Sequence, residues 1–253
     1  MLVTLALVAQ AHAVPAPDCS GNFAVADAVP GPGAPEVPFD ARPAITFDGD
    51  ECRGGLSWTP TLRRTDDETE VPLEATTDLA GTHLLELFPV GALDPDTAYT
   101  VSLTPIDSGE VVEFGFTTGL GEVAGLAGEP QLTVDSVSFA KRTGITLTWT
   151  AKGATDPDGL SILQIQDASA ERPIHSFVVP GTGSMEQTVV WTYTDRPAEV
   201  CPQVRQLDGT GLATEWTEPT CAKVGGCSTT GESRAGVGIV AMAMLLARRR
   251  SPR

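Results

Sequence analysis

Histidine is nearly missing from this 253-residue chain: there are three, beside five Cys, two Tyr and four Trp. So few nitrogen and sulfur ligands leave little for a soft metal site. Positive charge is scarce as well, with 16 Lys and Arg against 33 Asp and Glu, a net charge of −17. An acidic surface excludes nucleic acid and an anionic membrane face as partners of the folded part, because each is held by a basic patch. What is plentiful is Gly, 26 residues, and Pro, 20, amid many Thr and Val. That composition favours short strands and frequent turns over helices.

Both ends of the chain read as addresses. Residues 1–13, MLVTLALVAQAHA, are apolar and close on Ala11-His12-Ala13. A small-x-small close to an apolar run marks a signal-peptidase site, so the expectation is a signal peptide cut after Ala13 and an exported chain. At the far end Gly225-Gly226-Cys227 precedes a polar spacer from Ser228 to Arg234, and a short apolar run, Ala235 to Ala247, follows. The chain then ends in Arg248-Arg249-Arg250-Ser251-Pro252-Arg253. Charge is segregated: residues 14–233 hold all 33 acids and 11 of the bases, while the last twenty hold five Arg and no acid. Basic residues beyond an apolar run stay on the cytoplasmic side, which leaves the body outside.

The tail from Gly226 to Arg253 resembles the MYXO-CTERM sorting signal, with its Gly-Cys pair, short spacer, apolar helix and terminal Arg cluster. The resemblance implies that a membrane sorting protease cuts the tail and that the protein is kept at the cell surface. Cys227 would be the processing or lipidation point. An ordinary weak membrane anchor is the other reading, and both place residues 14–226 outside. The expected partners are therefore the membrane, through the tail, together with signal peptidase and the sorting protease.

Export implies an oxidising compartment, where cysteines pair. Cys19, Cys52, Cys201 and Cys221 lie in the body. Four cysteines allow three pairings, and proximity favours Cys19–Cys52 and Cys201–Cys221. No C-x-x-C pair or suitably spaced His supports zinc instead.

The body reads as all-β. Ala44–Phe47, Leu56–Thr59, Leu84–Phe88, Tyr99–Leu103 and Val111–Phe116 are short apolar-rich segments bounded by turn residues. Their spacing suggests an antiparallel sandwich. Leu93-Asp94-Pro95-Asp96-Thr97-Ala98-Tyr99 resembles the L-x-P-x-T-x-Y corner of fibronectin type III and bacterial Ig-like domains, in which the Tyr hydroxyl bonds back to the chain near the turn. Phe114-Gly115-Phe116-Thr117-Thr118 resembles the F-x-T-T ending of bacterial Ig-like domains. Further on, Gly144–Thr150 alternates cleanly and resembles the Trp-bearing second strand of fibronectin type III domains, which implies a core position for Trp149. Ile162–Gln166, Ser176–Val179, Gln187–Tyr193, Val200–Leu207 and Thr214–Thr217 follow as strands, the last two joined by the loop Asp208–Gly211.

The expected organisation is a signal peptide (1–13), a Pro/Gly-rich lead-in (14–37), a bacterial Ig-like sandwich (38–119), a Gly-rich linker (120–130), a fibronectin type III-like sandwich (131–224) and a sorting or anchor tail (225–253) ending in a short apolar helix.

A search for chemistry returns little. His12 leaves with the leader, and His83 and His175 each stand at a strand edge, where a lone His is usually a surface residue. Gly181-Thr182-Gly183-Ser184 lacks the Lys of a phosphate loop and reads as a hairpin turn. Asp48-Gly49-Asp50-Glu51 and Asp156-Pro157-Asp158-Gly159 place carboxylates two apart, which suits calcium, yet neither has the twelve-residue loop with a closing Glu. Asp and Gly are also common turn formers. Asp66 to Glu70 reads as a solvated loop. Trp191 and Trp216 have Thr or Glu neighbours and could face outward as a sugar platform. No catalytic residue, metal or cofactor emerges. The expectation is an exported, surface-anchored, non-catalytic spacer or adhesion module whose glycan or protein ligand is not legible. The alternatives are a carbohydrate- or calcium-binding surface domain, or an extracellular enzyme whose site these patterns do not reveal.

Overall fold

The computed structural model describes residues 24–48, 58–76, 82–105, 111–140, 144–169, 174–193, 195 and 197–224. Among them every regular element is a strand. The first eight are β1 (Ala24–Val29), β2 (Ala34–Val37), β3 (Ala44–Asp48), β4 (Trp58–Arg64), β5 (Leu73–Thr76), β6 (Leu84–Pro89), β7 (Ala98–Pro105) and β8 (Val112–Thr118). They form two four-stranded sheets, ordered β1-β3-β6-β5 and β2-β8-β7-β4. All pairings are antiparallel except β2 with β8, which run parallel. Two such sheets face to face make a sandwich in which inward residues alternate with outward ones.

Residues 24–37, the described part of the stretch expected as a lead-in, supply the first two of these strands. Ala28 and Val29 are buried at the end of β1, the Val29–Pro30 bond is cis, and the chain then crosses to the opposite sheet as β2. Gly33, at φ 75°, makes that crossing and donates its N–H to the carbonyl of Gly115 at 2.7 Å. The core between the sheets contains Ile45, Phe47, Leu62, Leu87, Tyr99, Val101 and Leu103.

Two motifs of the sequence meet in space at one corner. The Tyr99 hydroxyl accepts the Asp94 N–H at 2.8 Å, closing the turn that precedes β7. Thr118, the last residue of the F-x-T-T ending, donates its hydroxyl to the Asp94 carbonyl at 2.6 Å and accepts the Thr97 N–H at 3.0 Å. The corner is thus clamped from the neighbouring strand. Tyr99→Phe keeps the buried ring and removes only the acceptor, so it should lower stability by about 1 kcal/mol, read as a shift of the urea midpoint with an unchanged slope.

The remaining strands are β9 (Gln131–Phe139), β10 (Gly144–Lys152), β11 (Ile162–Asp167), β12 (His175–Val178), β13 (Ser184–Thr192), β14 (Glu199–Val200), β15 (Pro202–Leu207) and β16 (Ala222–Lys223). Two three-stranded sheets, β13-β10-β9 and β12-β11-β15, enclose the second core, and β14 pairs with β16 beside them. In β10, Ile145, Leu147, Trp149 and Ala151 point inward while Thr146, Thr148 and Thr150 point out, the period-two pattern that the sequence displays. Trp149 is fully buried, with Phe177 packed edge-on at 5.5 Å.

Thr214–Thr217, expected as a regular strand, runs beside β15 without becoming one. Thr214 and Thr217 donate their N–H groups to the carbonyls of Gln206 and Val204 at 2.8 Å each. Their hydroxyls accept the N–H groups of those same residues, at 3.0 and 3.1 Å. A threonine side chain here replaces the carbonyl that a regular ladder would supply.

Candidate functional site at the interdomain seam

The two sandwiches are packed against each other. Leu160, Ile162 and Leu207 of the second belong to the same apolar cluster as the first core, and Val123, from the Gly-rich stretch between them, packs there too. That stretch, residues 120–130, is bonded to both sides. Gly121 accepts the Phe39 N–H at 3.0 Å, and Val123 donates its N–H to the Asp40 carboxylate at 2.7 Å. Ala124 donates to the Asp158 carboxylate at 2.6 Å, and Ala127 exchanges two 2.9 Å bonds with Thr155. Gly209 accepts the Arg42 N–H at 2.7 Å, and a Cβ there would stand 3.1 Å from Leu160 and 3.2 Å from Val123. A larger residue there would have to push Leu160 and Val123 aside by a few tenths of an ångström.

A chain of polar groups crosses the same seam. Arg205 on β15 donates its Nε–H to Gln164 Oε1 on β11 at 2.8 Å. The Gln164 amide donates to the Ser176 hydroxyl at 3.2 Å, and Ser176 donates to the Thr82 carbonyl of the first sandwich at 2.6 Å. Glu86 on β6 lies in the field of both Arg42 and Arg205, yet burial dominates and raises its carboxyl above the usual range. Burial lowers the Arg205 guanidinium, with Glu86 pulling it back. Each arginine also covers an aromatic ring, Arg42 over Phe88 at 4.8 Å and Arg205 over Trp216 at 4.6 Å. Cation–π contacts of this kind fix the guanidinium planes.

Next to this chain lie the two histidines expected at the surface. The structure corrects that expectation: His83 and His175 are buried, 6% and 8% exposed, with ring centroids 4.4 Å apart. The reason is positional, since each strand edge that carries one faces the other sandwich instead of solvent. Trp191 is also corrected. It is fully buried because its register partner on β10 is the inward-facing Ile145. Trp216 keeps some exposure under Arg205, and Trp58 packs on the first core with Phe47 at 6.0 Å.

Of the cysteines, Cys201 and Cys221 form a disulfide. Glu199 lies beside them, but sulfurs joined to each other offer no thiolate to a metal. Cys19, Cys52, Ala13, Gly226, Cys227, Arg248, Arg249 and Arg250 lie outside the described residues, as do His12 and the acidic run Gly49 to Glu51. The second acidic pair acts as turn and clamp: Asp156 accepts the Asp158 N–H at 3.1 Å while Asp158 holds Ala124. Asp66, Asp67 and Glu68 form ion pairs with Arg64 and Arg63 at 3.5, 3.9 and 3.0 Å. Asp67 is held below its usual range mainly by the backbone N–H of Thr69.

Two buried polar hubs went unread in the sequence. Asp167, 1% exposed, accepts from Tyr193 Oη at 2.5 Å, from the Cys201 N–H at 3.0 Å and from the Ser169 N–H and hydroxyl at 2.9 and 2.7 Å. Gln206, fully buried, accepts the Ala154 N–H at 2.7 Å and donates to Ser161 at 2.8 Å. The available signal was a lone Asp closing the apolar strand ILQIQD ahead of Ala-Ser, a spacing that an Asx turn requires.

No protein-family model matches this chain, and neither does any curated protein. Among solved structures, a chimeric titin Z1Z2-Z1Z2 tandem carrying a GRGDS peptide from fibronectin is 14% identical, over 81% of this chain and 97% of that one, with a TM-score of 0.25. The FN1–FN3 domains of chicken CNTN1 are 12% identical over 76% of this chain and 66% of theirs, at 0.23. The N-terminal part of the bacterial S-layer protein SbsC is 11% identical over 81% and 44%, at 0.25. Scores of this size carry no argument, and the all-β sandwich assignment rests on strand order and register.

Proposed function

We propose that this chain is an exported, surface-held, non-catalytic module in which two docked β-sandwiches keep a face at a fixed distance and angle from the cell envelope. The observation that carries this reading is the Cys201–Cys221 disulfide in an acidic, two-sandwich body. Disulfides persist in oxidising compartments, and an acidic surface favours solubility there. The packed seam supports a structural role, because it turns two modules into one unit. The sugar-platform alternative loses ground with Trp191, one of the two tryptophans expected to face outward, fully buried.

Intact-mass spectrometry of the native protein from surface fractions tests the reading. Loss of residues 1–13 and of the tail beyond Cys227, with Cys201 and Cys221 oxidised, is the expected result. An uncut chain with free thiols in the cytoplasmic fraction overturns it. The bridge should also matter for stability: Cys201→Ala with Cys221→Ala releases a loop closed across a separation of 20 residues. The expected loss is about 3 kcal/mol by the loop-entropy relation, measured by urea unfolding of the double variant.

A further inference from the structure

Two imidazoles from different sandwiches share one buried contact at the seam. His83 stands just before β6, and His175 opens β12; their rings meet at 4.4 Å with planes inclined by 59°. His83 holds a left-handed backbone, φ 51°, uncommon for a residue with a side chain. The His175 Nε2 is buried and has no hydrogen-bond partner. An uncharged His175 ring can occupy such a place. An imidazolium at His175 cannot do so cheaply, because burial strips its water and the neighbouring His83 ring disfavours its charge.

We propose that the His83–His175 contact is an acid-labile latch, which holds the sandwiches docked near neutral pH and releases them as His175 takes a proton in the opened state. The proton comes from solvent and goes to the ring nitrogen left bare when the seam opens. This inference concerns the seam alone and stands whether or not the chain is surface-held.

Among the described residues, the surrounding elements carry these charged groups. β12 packs against β1 and β3 and pairs with β11. Asp27 on β1 turns its carboxylate to the Ala28 N–H at 2.8 Å, and Asp167 at the end of β11 serves Tyr193, Ser169 and Cys201. Asp48 ends β3. Arg205 on β15 is bound to Gln164, and Glu86 on β6 lies in the field of Arg42 and Arg205. Desolvation first, then the neighbouring His83, depresses His175 from 6.5 to about 3. The sign follows from linkage. Above pH 6.5 neither docked nor opened chain binds the proton, so docking is at full strength. Between pH 6.5 and 3 only the opened chain binds it, and docking weakens tenfold for each unit of pH. Glu86 works the other way, since a carboxyl raised by burial takes up its proton more readily in the docked state.

Hydrogen exchange on the full chain, corrected for the intrinsic effect of pH on amide exchange, reads the latch directly. The amides to follow are Arg42, Val123 and Ala124 at the seam, with β10 amides as the reference for whole-chain unfolding. The seam opening constant should rise about 50-fold from pH 6.5 to 4.5, because the opened ring is already half protonated at the upper end, while β10 stays protected. In His175→Phe, which keeps an aromatic ring of similar shape, that rise should disappear. A flat wild-type seam overturns the latch, and so does an equal slope in His175→Phe or a parallel rise in β10. Should the Phe variant fold poorly, His175→Gln and the NMR titration of the wild-type His175 ring decide the matter. A ring still neutral at pH 4.5 supports the latch, and one that titrates near 6.5 overturns it.

Discussion

Trp191→Ala will destabilise the second sandwich by about 3–5 kcal/mol, the range for removing a large buried aromatic side chain. The side chain is fully buried, stands opposite Ile145 on β10 and shares its cluster with Trp149 and Tyr193. Deletion leaves both a transfer loss and a cavity, since the rigid sheets on either side cannot close over it. Trp191→Phe should cost much less, because it keeps an aromatic ring and removes an indole N–H that has no partner. The neighbouring Val190, 43% exposed on the outer face, is the control. Val190→Ala should stay within about 0.5 kcal/mol of the parent. Urea unfolding followed by far-UV circular dichroism separates the three, and a Trp191→Ala midpoint equal to that of Val190→Ala would sink the core assignment.

Asp167→Ala ranks second. One buried carboxylate gathers donors from the end of β13, from the residue between β14 and β15 and from its own turn. Removing it takes an acceptor from the Tyr193 hydroxyl and the Cys201 N–H together, and a lost hydrogen bond to a charged group costs about 1.5–3 kcal/mol. A loss of roughly 3 kcal/mol or more follows. Asp167→Asn keeps one oxygen for Ser169 and Cys201, and the Tyr193 hydroxyl can turn to accept from the new amide, so about 1 kcal/mol is expected. Equal losses in the two variants, measured by chemical denaturation, would show that Asp167 is not the hub its geometry describes.

The parts of this fold that were legible in the sequence are those in which one short stretch determines its own geometry. Leu93 to Tyr99 closes its own corner, and β10 announces its buried face by strict alternation. Cys201 and Cys221 lie close enough in the chain to suggest each other. What was illegible depends on a distant partner. Trp191 has the polar neighbours of an outward residue, and only its register against Ile145 turns it inward. His83 and His175 are 92 positions apart in the chain, so neither hints at the other. Asp40 and Asp158 look like ordinary turn carboxylates until the glycine-rich stretch lays Val123 and Ala124 across them. The seam, where the candidate site lies, is built almost wholly from such long-range pairs.

The parallel pairing of β2 with β8 has a mechanical corollary. β2 stands near the start of the first sandwich and β8 at its exit, and they are neighbours running in the same direction. Tension along the chain therefore drags the two strands past each other lengthwise. The bonds from Gly33 to Gly115 and from Gly119 to Val37, both 2.7 Å, lie across that pull and must yield together. A hairpin peeled from its open end would instead give way one bond at a time. Under drag the first sandwich is thus loaded in shear, the geometry in which a few short bonds resist the greatest force.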